Sequence, residues 1–335
     1  MDPVAALRQI AFNLELQHEP TYRVRAFRRA AATIGGVDPD DLAKHVRAGT
    51  LTSLPGIGKA TAGVVTEAVS GGEPKYLTDV LARGKGKIPG GGALAAALRG
   101  DCHTHSDWSD GGSPIAEMAE TARDLGHEWM VLTDHSPRLT VANGLSADRL
   151  RAQLDVVAEL NERMAPFRIL TGIEVDILLD GTLDQDPDLL SRLDIVVASV
   201  HSKLRMSTSD MTRRMLAAVA DPHVSVLGHC TGRLLGENKK RPESTFDAER
   251  VFEACRENGV AVEINSRPER LDPPLRLLRM AAELGCTFSI DSDAHAPGQL
   301  GWLPYGCERA LECGIGPEDV LTTKTAEELL AWKES

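Results

Sequence analysis

Nine residues whose side chains bind divalent cations stand at or just past the ends of short apolar runs: His103, His105, Asp110, His135, Glu174, His201, His229, Asp293 and His295. The runs with their polar ends read ALRGDCHTHSDWSD, EWMVLTDHS, FRILTGIEVD, LDIVVASVHS, VSVLGHCTG, VAVEINSRP and CTFSIDSDAH. Imidazole and carboxylate without thiolate is the donor mix of a catalytic zinc, manganese or iron site. Nine donors exceed what one ion uses, so the pattern predicts two to three divalent metal ions (Mn, Zn or Fe) in a multinuclear metallohydrolase. His103 and His105 are two apart on an extended segment and therefore share a face, and Asp293 and His295 repeat that spacing. Glu174 can bridge two ions, which a neutral imidazole cannot. Taken singly, a histidine is more often a hydrogen-bonded core or surface residue than a ligand. Jointly the pattern is different, because six of the ten histidines lie at the run ends and only His18, His45, His127 and His223 fall elsewhere.

Elements must bring these ends together. After residue 100 short strand-like runs alternate with amphipathic stretches such as DMTRRMLAAVAD, FDAERVFEACRENG and PLRLLRMAAELG. Seven such β-then-α units imply a parallel sheet, and right-handed crossovers with donors at so many strand ends favour a closed barrel with its chemistry on the C-terminal rim. An open sheet gathers its site at one switch point and would leave most of these donors apart. The first helix is signalled by Ser113 as N-cap, Pro114 at its first position, a stripe at Ile115, Met118, Ala119, Ala122 and Leu125, and Gly126 as the stop. The expected fold class is α/β, a closed barrel of seven β-then-α units, (β/α)7, behind a small all-α domain. The Lys/Gly/Pro-rich stretch KGKIPGGG marks a linker over 86–100, separating a helical unit at 1–85 from the barrel at 101–335.

A chain of 335 residues with 42% apolar content can bury a sizeable core. It has no apolar run near the eighteen residues of a membrane span, and it opens Met-Asp-Pro, so the expectation is a soluble cytoplasmic protein with no membrane partner. The six cysteines form no CxxC pair, which argues against a disulfide framework and against a thiolate zinc site. The net charge of -12 is uneven. Residues 1–90 carry 12 Lys+Arg against 9 Asp+Glu, or +3, leaving 25 against 40, or -15, for the rest. Part of that acidity is the donor set itself, which bound cations offset, so a polyanionic substrate is not excluded.

The donor clusters, with SVHSKLRMS, LGHCTGRLLG, VEINSRPERLD and SDAHAP, resemble the PHP (polymerase and histidinol phosphatase) family, and more closely the PHP domain that follows bacterial family X DNA polymerases. The resemblance covers about residues 100–330 and implies a distorted seven-stranded barrel with a trinuclear site. By position it assigns His103, His105, Glu174 and Asp293 to a first metal, Glu174, His201 and His229 to a second, and Asp110, His135 and His295 to a third. Cys230 stands where Pro is commoner, a change expected to affect packing more than ligation. The implied chemistry is phosphoester hydrolysis by a metal-activated water, with Glu174 and Asp293 at its centre and no protein nucleophile required. Basic residues just beyond strand ends, Lys203, Arg205, Arg233, Arg267 and Arg270, are candidates for gripping the substrate phosphate or else a solvated, ion-paired surface, and Arg233 and Arg267 are the two favoured for the phosphate. Asn265 is read either as orienting substrate or as a turn residue.

In the front unit, SLPGIGKATAGVVTEAV sets Gly56 and Gly58 in a tight turn before a helix that begins near Lys59. Such a turn lets backbone N–H groups and a helix N-terminus approach a phosphate, a contact that ignores sequence. It looks like a helix-hairpin-helix motif, and with TYRVRAFRRAAATI upstream the unit resembles the 8 kDa domain of DNA polymerase beta. Arg25, Arg28 and Arg29 are expected to add phosphate contacts. Val64 stands where that domain has its Schiff-base lysine, so no lyase activity is expected, and no polymerase palm fits between residues 90 and 100. Acidic pairs such as Asp38 with Asp40 and Asp184 with Asp186 read as helix starts or loops.

The leading function is a metal-dependent phosphoesterase acting on DNA ends, as 3′–5′ exonuclease, 3′-phosphatase or abasic-site nuclease, whose partners are DNA and a phosphate ester. The alternative is a small-molecule phosphomonoesterase of the histidinol-phosphatase type, which has no need of the front unit. A non-catalytic, metal-stabilised scaffold is a third reading, disfavoured by the complete donor set. The sequence sets no oligomeric state.

Overall fold

Apolar residues three and four apart fold the front of the chain into five helices: α1 (Pro3–Leu16), α2 (Thr21–Gly35), α3 (Pro39–Ala48), α4 (Lys59–Val69) and α5 (Lys75–Gly84). Asp2 and Asp38 cap α1 and α3 by accepting backbone N–H groups of the first turn. Leu7, Ile10, Leu14, Phe27, Ile34, Val64 and Val65 meet in one core, and each large aliphatic side chain so buried contributes about 1.5–3 kcal/mol. The computed structural model describes residues 1–236 and 240–334, and its contacts divide the chain into two units, Met1–Ile88 and Pro89–Ser335.

The second unit carries β1 (Trp129–Leu132), β2 (Arg168–Asp176), β3 (Ile195–Ser199), β4 (Val226–Leu227), the antiparallel pair β5 (Leu234–Leu235) and β6 (Lys240–Arg241), then β7 (Ala261–Asn265) and β8 (Phe288–Asp291). Six of these form a parallel sheet in the order β1-β2-β3-β4-β7-β8. Helices α6 (Gly92–Ala97), α7 (Ile115–Asp124), α8 (Ala147–Met164), α9 (Pro187–Leu190), α10 (Thr208–Val219), α11 (Ala248–Glu257), α12 (Leu275–Glu283), α13 (Leu303–Glu312) and α14 (Ala326–Lys333) intervene or follow. Trp129, Val131, Leu170, Ile195, Val197, Val226 and Ala261 pack together inside the curl of the sheet, with Leu321 and Leu329 from the end of the chain. Ile173, Val175, Val196, Leu227, Val262 and Ile264 pack outward against Met215, Phe252 and Leu278 of the helices.

The strand count differs from the seven expected. The run at Asp101–His105 is not a strand: its one ladder residue, Thr104, bridges both Leu132, the last residue of edge strand β1, and Ala294, just past the other edge strand β8. Side chains have taken the backbone donors that a strand would use. Asp291 accepts from the Cys102 N–H, Asp101 from that of His103 and Thr133 from that of Thr104. The segment therefore occupies the seventh position of a distorted barrel without regular pairing. Helix α7 also begins one residue later than expected, at Ile115, with no side-chain cap. Ser113 is buried, and its carbonyl instead accepts the N–H of Asp107 in the donor-bearing loop. Gly126, at φ 96°, ends the helix as its sequence position implied. No helix among the described residues is long and apolar enough to cross a membrane.

Candidate metal centre

Side chains alternate along a strand, so the face that is apolar inside the curl stays inside as each strand reaches its C-terminal end. On β1 and beyond, Trp129, Val131 and Thr133 lead to His135; on β2, Leu170 leads through Gly172 to Glu174 and Asp176; on β3 and beyond, Ile195 and Val197 lead through Ser199 to His201. Period two thus delivers chemistry to the rim. A backbone bridge between His135 and Glu174 continues the β1–β2 pairing to that level.

Glu174 is the hub, 1% exposed. Its Oε2 lies 2.8 Å from His135 Nδ1, 3.3 Å from His103 Nε2 and 3.7 Å from His105 Nε2. Its Oε1 lies 2.9 Å from His229 Nε2 and 3.1 Å from His201 Nε2. Asp110 Oδ1 sits 3.4 Å from His135 Nε2 and 3.3 Å from His295 Nε2. Asp293 Oδ1 is 3.5 Å from both His105 Nε2 and His295 Nδ1. All nine donors named from the sequence are brought together, and three sets have donor atoms within 4.8 Å of one another: His105, Asp110, His135 and His295; His103, His105 and Glu174; His135, Glu174 and His201.

The donor set fits divalent cations on two grounds. Both ring nitrogens of His105 and of His201, with His103 Nε2, His229 Nδ1 and Glu174 Oε2, are buried without a hydrogen-bond partner among the described residues. Such orphans are costly unless something in the site pairs with them. The second ground is charge. Burial raises Glu174, yet the neighbouring His201, His103 and His135 outweigh it and hold the carboxyl well below its usual range. Burial lowers His103 and His201, yet Glu174 outweighs it, driving His103 well up and His201 to about 9. Burial, His295 and His135 push His105 well down. The carboxylates demand positive charge that the crowded imidazoles supply only by crowding protons, and a cation supplies it directly.

A further layer of residues, of which only Asn265 was named from the sequence, aims the donors. Glu263 Oε1 lies 2.6 Å from His103 Nδ1, turning Nε2 toward Glu174, and its Oε2 accepts the backbone N–H of His229. Asp176 accepts the His201 N–H at 3.0 Å. Asp134 accepts from Ser106 Oγ at 2.6 Å, from Ser109, and from Gln153 at 2.7 Å, fixing the loop that carries Asp110. Asn265 settles as a positioning group: its Nδ2 is 3.2 Å from Asp293 Oδ2 and 3.3 Å from Glu263 Oε2. Arg214, 1% exposed on α10, donates to the Leu178 and Ser202 carbonyls at 2.8 Å each, tying the loop after β2 to the loop after His201. Glu263 and Asp176 had a readable signal, an acid on the inward face of an apolar strand. Arg214 had none.

The two arginines assigned to substrate separate. Arg267 Nη1 lies 3.2 Å from His295 Nδ1 and 3.3 Å from the Asp293 carbonyl, and the guanidinium stands 5.9 Å from the Trp302 ring centre. Arg233 instead donates from Nε to the Arg270 carbonyl at 2.9 Å and from Nη2 to the Leu271 carbonyl, with Glu243 3.7 Å from Nη1. Its fork is engaged in holding a loop, away from the donors that Arg267 reaches. Arg270 reaches the donors as Arg267 does, its Nε 3.0 Å from Asp293 Oδ2. Cys230 is buried, with Sγ 3.8 Å from Asp272 and not among the metal-binding groups, a packing role as expected.

In the front unit Gly56 takes φ 76°, Gly58 precedes α4, and Lys59, Arg25 and Arg29 are exposed. A Cβ on Gly56 would fall 2.5 Å from Arg29 Cδ, so the Arg29 stem lies across the turn. Arg28 differs from its neighbours: its fork binds buried Glu15 at 3.0 and 2.6 Å. Asp38 caps α3, Asp186 caps α9, and Asp184 accepts from Ser136 and the Arg138 N–H.

Comparison with known proteins places these units. Residues 101–267 match the PHP domain family and residues 1–74 the helix-hairpin-helix domain family. The DNA polymerase/3′-5′ exonuclease PolX of Bacillus subtilis is 39% identical over 235 residues, 70% of this chain but only 41% of PolX, so the chain spans less than half of that relative. A probable phosphatase of Caldanaerobacter subterraneus is 30% identical over 245 residues, 69% of this chain and 90% of the relative. The histidinol phosphate phosphatase of Lactococcus lactis, solved with zinc, L-histidinol and phosphate, aligns at 20% identity and a TM-score of 0.46, covering 65% of this chain and 95% of its own. The chain belongs to the PHP-domain family of metal-dependent phosphoric ester hydrolases, with a helix-hairpin-helix domain ahead of its catalytic unit.

Proposed function

We propose that this protein hydrolyses phosphoesters at DNA ends in the cytoplasm, using two to three divalent ions (Mn, Zn or Fe) held by the nine donors. The observation that carries the DNA reading is the front unit: a basic helical domain with a glycine turn at Gly56 and Gly58, crossed by Arg29, beside a catalytic unit of the PHP family. A phosphatase for a small metabolite has no use for a unit suited to backbone phosphates. The exonuclease named in PolX supports the same class of substrate.

In this reading His103, His105, Glu174 and Asp293 hold one ion, Glu174, His201 and His229 a second, and Asp110, His135 and His295 a third. Ions held there supply charge to phosphoryl oxygens and acidify a water. Glu174 keeps adjacent positions in register through its two oxygens, Glu263 and Asn265 fix the donors, and Arg267 orients the substrate phosphate. Gly56, Gly58, Lys59, Arg25 and Arg29 hold the DNA backbone. A small-molecule phosphomonoesterase is the second reading, favoured by the probable phosphatases, which match the chain over about nine-tenths of their own length.

The test is a manganese-supplemented assay of the full chain on labelled DNA with 3′-phosphate, abasic or plain ends, run beside histidinol phosphate. Release of phosphate or nucleotide from DNA at rates above those on histidinol phosphate supports the reading. Turnover confined to the small ester replaces it with the second.

A further inference from the structure

The loop that follows the ligand His201 is held at both ends and turns its charges outward. Arg214 donates to the Ser202 carbonyl at 2.8 Å, and Ser244 Oγ donates to the Leu204 carbonyl at 2.9 Å. Leu204 packs over Gly232, three residues past the ligand His229, where a Cβ would fall 2.8 Å from its Cδ2. Between the two anchors Lys203 is held at φ 54°, a left-handed backbone that a side chain other than glycine adopts at a cost. Lys203 and Arg205 are exposed, and neither makes an ion pair among the described residues. The segment packed against this loop adds a third such cation. Lys240 pairs in β6 with Leu235, is exposed and carries no ion pair among the described residues, while Arg241 beside it donates to the Gly232 carbonyl. Among the described residues the acid of that stretch, Glu243, is spent on Arg276 and Arg233.

Three cations without an ion pair among the described residues thus flank the two loops that carry His201 and His229, in a unit whose net charge is -15 over residues 91–335. A solvated lysine needs no such scaffold. We propose that Lys203, Arg205 and Lys240 form a docking rim for the phosphate backbone of a DNA strand whose end lies in the metal centre. The inference rests on the DNA reading and adds that the catalytic unit itself holds polymer beyond the scissile phosphate, which no small ester could exploit. Occupancy releases counterions from the strand, so the affinity gained is salt-dependent.

The experiment compares the full-length protein with the triple variant Lys203→Gln, Arg205→Gln, Lys240→Gln. Three quantities are measured: KM for a labelled single-stranded oligonucleotide from low to moderate salt, turnover of p-nitrophenyl phosphate, and bound metal. The expected result is a DNA KM raised roughly tenfold to a hundredfold at low salt, with the salt slope reduced by about 2. Turnover of the small ester and metal content stay unchanged. An unaltered KM and slope on DNA overturn the docking rim and leave DNA as the substrate. Loss of small-ester turnover in parallel also overturns it, because the loop would then be supporting the metal centre. A parent protein that cleaves the small ester and never DNA removes the DNA reading, and this rim with it.

Discussion

Arg270 donates from Nε to Oδ2 of Asp293 at 3.0 Å, leaving Oδ1 of that carboxylate facing His105 and His295. The guanidinium fixes which oxygen is offered to the ion and balances charge from Glu174, Asp272 and Glu263 as well. Replacing it with glutamine should cost about tenfold to a hundredfold in metal affinity or turnover, the usual effect of losing an outer partner of a ligand. Lysine should restore part of it, since one donor suffices for Oδ2. Metal titration followed by elemental analysis reads this directly, and a fully loaded Arg270→Gln protein with normal turnover would show that Asp293 orients itself.

Arg233 acts at one remove. It holds the Arg270 and Leu271 carbonyls, and Leu271 sits at φ 44°, where a leucine stays only under restraint. Arg233→Ala should therefore mimic Arg270→Gln, lowering metal content and turnover together. The double variant should be scarcely worse than either single one, because both remove one function. Additive losses would mean that Arg233 has a separate role. Arg267→Ala should behave differently, raising KM for the ester at unchanged metal content.

Much of the centre was legible because strand periodicity and ligand chemistry are local properties. Glu174 follows Leu170 and Gly172 by steps of two, and that parity alone puts it inside the barrel. His103 and His105 were legible as ligands though not as part of an irregular segment, since nothing in DCHTH reveals that Asp291, nearly two hundred residues on, takes the Cys102 N–H. Arg233 and Arg270 looked alike in sequence, and only the packing of the 267–272 loop decides which one meets the donors. The pairing of Arg28 with Glu15 was hidden for the same reason: Glu15 lies on another helix, and no helical spacing connects them.

Glu174→Gln should reduce hydrolysis by more than about a hundredfold. The amide keeps the shape but lacks the charge and one acceptor, so it cannot serve His135 and His103 on one side and His229 and His201 on the other. Bound metal per chain should fall as well. Near-normal turnover with full metal would end the bridging assignment.

Arg28 and Arg29 are neighbours with opposite expected phenotypes. Arg28→Ala takes the guanidinium away from Glu15, whose side chain is 4% exposed, and should cost roughly 3 kcal/mol in the stability of the front unit. Arg29→Ala should leave stability near normal and weaken DNA binding, with the salt slope smaller by about 1. Thermal melts and salt-titrated binding of the full chain separate the two. An Arg29→Ala protein that binds DNA as the parent does would remove Arg29 from the phosphate contacts.

His127 gives the catalytic unit an acid-sensitive point away from the donors. Burial pushes its imidazole down to about 4, and Nδ1 has no hydrogen-bond partner among the described residues. An unfolded histidine titrates near 6.5, so between about 6.5 and about 4 the unfolded chain binds the extra proton and the native chain does not. The stability this group confers is therefore complete above 6.5 and is lost as pH falls toward 4. Protonation of Glu174 and Asp293, whose carboxyls the site holds well below their usual range, also destabilises the protein in acid, which makes the comparison between two proteins the informative one. Melting temperatures of the parent and of His127→Gln should run parallel from pH 8 to 7 and then converge or cross as pH drops to 5, because the variant has no proton to gain at that position. Curves that remain parallel down to pH 5 would mean that His127 accepts its proton in the folded state without penalty.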